Sequence, residues 1–111
     1  MISSVLALML AASAVQADPA NDARRAYQSC LRAFMTASLE RRMEPEAFET
    51  ALASQCTSHA TAYRDAMVRR DARNGGSRAQ AEEDSQIMID DAKANTVEYY
   101  RDSLAANTPP G

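Results

Sequence analysis

The chain has no tryptophan, one histidine, two cysteines and three glycines among its 111 residues. Each scarcity excludes something. A lone histidine with no placed serine, cysteine or acid around it does not make a catalytic triad. No Gly-rich phosphate loop, haem motif or nucleophile elbow occurs. A net charge of −3 gives no overall pull toward nucleic acid or anionic lipid. Beyond residue 17 only ten Leu, Ile, Val and Phe side chains remain. The core must be thin and rich in alanine, and a core of that kind is marginal at this size.

The first residues, MISSVLALMLAASAVQA, hold the one long apolar run. Val5 to Val15 is too short for a comfortable membrane span. It closes on Val15-Gln16-Ala17, with small residues where a signal peptidase cuts. We therefore expect a signal peptide at 1–17, with a cut after Ala14 as the alternative. One departure is that no Lys or Arg precedes the run, and the competing reading is an uncleaved anchor. A helical domain is expected over 18–104, followed by a disordered tail at 105–111. After cleavage no membrane span would remain, and the setting would be periplasmic or secreted.

Two cysteines in an exported chain suggest one intramolecular disulfide. The spacing supports it. Cys30 and Cys56 lie symmetrically about position 43, beside the turn Met43-Glu44-Pro45. In an antiparallel hairpin, residues equally far from the turn face each other. Apolar or small residues recur at Ala23, Tyr27, Cys30, Phe34 and Ala37, and again at Phe48, Leu52, Cys56, His59, Tyr63 and Met67. These are helical spacings. Asp18-Pro19 starts the first helix and Pro45 the second. Asn74-Gly75-Gly76 ends the second. Ser77 with Gln80 reads as a capping box for a third. No strand signal and no internal repeat are present. The expected fold is all-α, a disulfide-stapled antiparallel helical hairpin plus a third helix, forming an up-down-up bundle. Mirror positions about the first turn pair Phe34 with Leu52, Tyr27 with His59 and Ala23 with Tyr63. About the second turn they pair Met88 with Tyr63, Ala92 with His59 and Tyr99 with Leu52.

Candidate chemistry is sparse. Cys56-x-x-His59 with Cys30 opposite offers three metal ligands, but structural zinc takes four, and in an oxidising compartment the thiols pair with each other. His59 serves as a helix-face residue bonded to Tyr27, Asn95 or a backbone carbonyl; its sharper alternatives are a general base or a pH sensor. Met35, Met43, Met67 and Met88 could suit copper(I) but form no repeated cluster, and core filling accounts for them. Arg64, Arg69, Arg70, Arg73 and Arg78 make the densest basic run, faced by Glu82, Glu83 and Asp84, which gives a mixed solvated surface. Asp90 and Asp91 are adjacent and point to different sides of a helix. No cofactor is expected.

The third helix carries an apolar arc of about 180° at 3.6 residues per turn. A surface helix needs only about 100°. One edge of that arc, Val97, Tyr100 and Leu104, is the expected contact surface for a homodimer or a cell-envelope partner. Taken as a whole, the Tyr27-x-x-Cys30 and Pro45-x-x-Phe48 segments, Cys56 and the leader resemble the small, Cys-paired, helical exported proteins of bacteria. That resemblance implies a periplasmic or secreted setting and nothing about activity. The first functional reading is a non-enzymatic structural or protein-interaction role. The second is copper or zinc handling through Met residues and His59, and the third an enzyme with His59 as base.

Overall fold

In the computed structural model, residues 18–106 are described. The expected leader at 1–17 and most of the expected tail lie outside the described residues. The described chain is all-helical. It comprises α1 (Pro19–Glu40), α2 (Pro45–Ser54), α3 (Thr57–Arg73) and α4 (Arg78–Ala106). The last of these runs two residues past the expected end at Leu104.

Local chemistry explains the boundaries. Asp18 caps α1 as expected, with Oδ1 accepting from the N–H groups of Ala20 at 3.1 Å and Asn21 at 3.3 Å. Just past the end of the helix, Arg42 has φ of +50° and reverses the chain. The Met43 N–H then closes back to the Ser38 carbonyl at 3.1 Å. The second turn repeats this device with the residue best suited to it. Gly75 has φ of +81°, and the Gly76 N–H reaches the Asp71 carbonyl at 2.7 Å. Ser77 Oγ accepts from the Gln80 N–H at 3.2 Å, so the serine half of the capping box forms. The Gln80 side chain does not return the bond. Its amide donates forward to Asp84 at 2.8 Å.

The expected second helix is two. Gln55 is extended, with ψ of 149°, and Cys56 is left-handed, with φ of +63°. Left-handed backbone is unfavourable for a residue with a Cβ. Here the disulfide partner and neighbouring hydroxyls hold the break. Ser54 Oγ donates to the Ala51 carbonyl and Thr57 Oγ1 to the Ser54 carbonyl, local bonds that compete with helix continuation. Cys30 and Cys56 stand at disulfide distance, with Cα atoms 5.9 Å apart, within the span such a bond requires. The cysteine pair therefore joins α1 to the joint between α2 and α3.

The core contains Tyr27, Leu31, Phe48, Leu52, Tyr63, Met67, Ile89 and Tyr100, with Ala20, Ala60, Ala66 and Ala81 filling the narrow places. Alanine allows close helix approach where there are few large aliphatics to separate the helices. The rings of Phe34 and Phe48 stack at 5.5 Å, and those of Phe48 and Tyr100 at 3.9 Å. This stack connects α1, α2 and α4. Among the described residues one buried polar group, Ser38 Oγ, has no hydrogen-bond partner, although the Ser38 carbonyl accepts from both Met43 N–H and the Tyr100 hydroxyl.

Two expected positions change. His59 is exposed, so it faces neither Tyr27 nor Ala92. The break at Gln55–Cys56 interrupts the helix before His59, and the expected pairing of Tyr27 with His59 does not form. On α4, Tyr99 is 62% exposed and Tyr100 is fully buried. The centre of the buried face is Ser85, Ile89 and Tyr100, about 100° from Met88. The arc was correctly placed, but its exposed edge is the opposite one, carrying Met88 and Tyr99.

Candidate functional site

Tyr100, expected on a contact surface, is core. Val97 and Leu104 are half-buried and pack against the same cluster. The three residues therefore do not form an exposed edge in the single chain. Among the described residues the exposed large apolar side chains are Ile87, Met88 and Tyr99. The helical arc alone could have suggested Met88 and Tyr99, which are its other boundary. Only packing against α1 decides between the two edges.

Beside Tyr99 a groove runs between α1 and α4. Two adjoining cavities of about 270 Å³ share Arg32, Asn95 and Thr96. Gln28 and Leu31 extend the groove at one end, Met35 and Tyr99 at the other. Thr96 directs its hydroxyl onto the Ala92 carbonyl at 2.7 Å, leaving the amides of Gln28 and Asn95 and the Arg32 guanidinium as the polar lining. On the far side of α4, Val97 lines a separate cavity of about 250 Å³ with Leu52, Ala53 and Lys93. An exposed ion pair, Arg101 to Glu49 at 3.1 Å, bridges α4 and α2 nearby.

The titratable candidates are dispersed. His59 makes no hydrogen bond or ion pair among the described residues. No group of three His, Cys, Asp or Glu side chains among the described residues is placed to hold a metal ion. Met67 and Met88 come together in one cleft, whereas Met35 and Met43 lie elsewhere. The basic run is partly engaged. Arg78 pairs with Glu82 at 3.0 Å, Arg70 with Asp71 at 3.5 Å, and Arg64 bonds Gln86. No described helix is long and apolar enough to cross a membrane.

Three buried tyrosines tie the helices through their hydroxyls. Tyr27 donates to the Ile89 carbonyl, Tyr63 to the Met88 sulfur, and Tyr100 to the carbonyls of Met43 and Ser38. Burial raises the pKa of all three above 10.0. Asp90 adds to the rise at Tyr27 and Glu44 at Tyr100, while Arg24 and Arg70 oppose it at Tyr63. The folded chain thus holds these protons longer than the unfolded chain does. Their contribution is fully present below the unfolded value near 10 and is lost as pH rises through the raised values. Urea midpoints measured from about pH 9 to pH 11 should fall steeply above about pH 10. A flat profile there would mean that the hydroxyls reach solvent.

No family model matches the chain, and neither a curated protein nor a solved structure is detectably similar to it.

Proposed function

We propose that this is a non-enzymatic, exported helical protein that acts by protein contact. Its architecture is read as an up-down-up bundle whose second arm is the α2–α3 pair. The observation that carries the interaction reading is Tyr99. Its ring is 62% exposed at the mouth of the α1–α4 groove, in a protein with too few large apolar residues to fill its own core generously. An exposed aromatic beside adaptable amides and one guanidinium is the composition of a contact site rather than of a reaction centre. The leader residues 1–17 support the exported setting. A homodimer or an envelope protein would be the partner.

The experiment is site-directed photo-crosslinking in the producing cell. A photoreactive residue at position 99 should give one discrete adduct, either twice the chain mass or one defined heterologous product. The same residue at exposed position 83, on the opposite end of α4, should give none. Intact mass of the recovered protein should begin at Asp18, or at Val15 for the alternative cut. A full-length product embedded in the membrane would refute the exported reading, and equal smears from positions 99 and 83 would refute the contact reading.

Copper handling is the second reading, favoured by the meeting of Met67 and Met88 in one cleft. Each sulfur already accepts a hydrogen bond, from Arg70 at 3.2 Å and Tyr63 at 3.3 Å. Two guanidinium groups also line that cleft and oppose a cation there.

A further inference from the structure

The cleft that holds the two sulfurs has a different logic. It lies where the first turns of α1 meet α3 and α4, lined by Asp18, Ala20 and Arg24, by Tyr63, Met67 and Arg70, and by Met88. We propose that this cleft binds a small monocarboxylate with a short apolar tail, held by Arg24, Arg70 and the Tyr63 hydroxyl.

In this cleft strong donors are directed at poor acceptors. A thioether is the weakest hydrogen-bond acceptor among the polar side chains. Yet the Tyr63 hydroxyl, in a residue 97% buried, donates to Met88 sulfur at 3.3 Å, and Arg70 Nη2 donates to Met67 sulfur at 3.2 Å. Arg24 donates to the neutral Asn21 amide oxygen. No carboxylate among the described residues stands within ion-pair distance of Arg24. Asp18, the one acid in the lining, is directed onto the α1 N-terminus by its bonds to the Ala20 and Asn21 amides. Arg70 Nε also lies 3.5 Å from Asp71, but that carboxylate is outside the lining, and the acceptors these three donors reach within the cleft are two sulfurs and a neutral amide oxygen. A carboxylate accepts only, and charge-assisted bonds to it are about twice as strong as neutral ones. It would replace the sulfurs as acceptor without breaking a carboxylate pair at Arg24. The opposing effects of Arg24 and Arg70 on Tyr63 place both positive charges near its hydroxyl.

Charge and size narrow the ligand. Two guanidinium groups and one carboxylate line the cleft, a balance that suits a monoanion better than a phosphate dianion. The space of about 110 Å³ matches the bulk of roughly four liquid waters, enough for a carboxylate with two or three carbons behind it. Ala20, Met67 and Met88 supply an apolar wall for those carbons.

This inference is independent of the contact reading, which concerns Tyr99, near the other end of α4. The test is a heteronuclear NMR titration of the disulfide-intact protein with sodium butyrate. Butan-1-ol and inorganic phosphate are run alongside at constant ionic strength. Butyrate should saturate one site at Tyr63, Arg24 and Arg70, with a Kd of about a millimolar. Arg24→Gln and Arg70→Gln should each weaken it by about tenfold or more, and Tyr63→Phe by a smaller factor. Thermal melts of the variants come first. Should Arg70→Gln not fold, Arg24→Gln decides, since that side chain bonds only Asn21. No saturation by about 100 mM butyrate, equal saturation by butan-1-ol, tighter binding of phosphate, or undiminished binding by Arg24→Gln would each overturn the proposal.

Discussion

Replacing Cys30 or Cys56 by serine should lower Tm by roughly 14–28 °C. The two cysteines are separated by 26 positions, and the chain-entropy argument gives about 3.5 kcal/mol for closing a loop of that length. Each kcal/mol is worth roughly 4–8 °C in a domain this size. Set against a total stability of roughly 5–14 kcal/mol, the bond carries a large share. The position adds to the effect. Cys56 occupies the left-handed joint between α2 and α3, and the bond to Cys30 fixes that joint onto α1. Without it the joint is free to relax toward ordinary helix, which would rotate α2 against α3 and pull Phe48 and Leu52 out of register. Calorimetric melts of wild type and of both serine variants, with and without reductant, measure this. Reduced wild type should melt where the variants do. A loss of only a few degrees would show that packing alone holds the joint.

The helices and the cysteine pair were legible because their signals are local. Cysteine spacing about Met43 and a proline at the start of α2 need no knowledge of the third helix. The break at Gln55–Cys56 was not legible. Phe48, Leu52, Cys56, His59 and Tyr63 continue at helical spacing straight across it. No glycine or proline marks the left-handed residue, because a cross-link and two hydroxyl-to-carbonyl bonds hold it instead. His59 lies outward beyond it, and its expected pairings with Tyr27 and Ala92 do not form. The Met88–Tyr63 pairing forms, since it is measured from the second turn and lies within α3 and α4.

The apolar width of α4 was also legible, but not which edge of it stays exposed. Tyr99 and Tyr100 are neighbours of nearly the same chemistry, and hydrophobicity ranks them equally. Shape separates them. Position 100 meets the flat face of Phe48 and two accepting carbonyls at the α1–α2 turn, which a tyrosine fills completely. Position 99 meets the open groove beside Arg32 and Met35. The carboxylate cleft was half-visible as a basic run on α3. What the run does not reveal is that methionine sulfurs are the acceptors waiting there.

That difference between neighbouring tyrosines gives the second large effect. Tyr100→Ala should cost about 3–5 kcal/mol, as removal of a large buried ring does, a fall in Tm of roughly 12–40 °C. The ring is fully buried, lies 3.9 Å from Phe48 centre to centre, and through Phe48 reaches Phe34. Its removal opens a cavity shared by α1, α2 and α4, and α2 is too short to close it. Tyr100→Phe should cost less, about 1–3 kcal/mol. It keeps the stack and removes only the hydroxyl that donates to the Met43 and Ser38 carbonyls. Tyr99→Ala, one residue away, should fall within about 0.5 kcal/mol of wild type, as exposed substitutions do. Urea melts of the three variants give the order directly. If Tyr99→Ala proved the costlier of the two alanine changes, α4 would be turned by one residue about its axis. The aromatic stack, the groove beside Arg32 and the contact surface assigned to Tyr99 would then all be misplaced together.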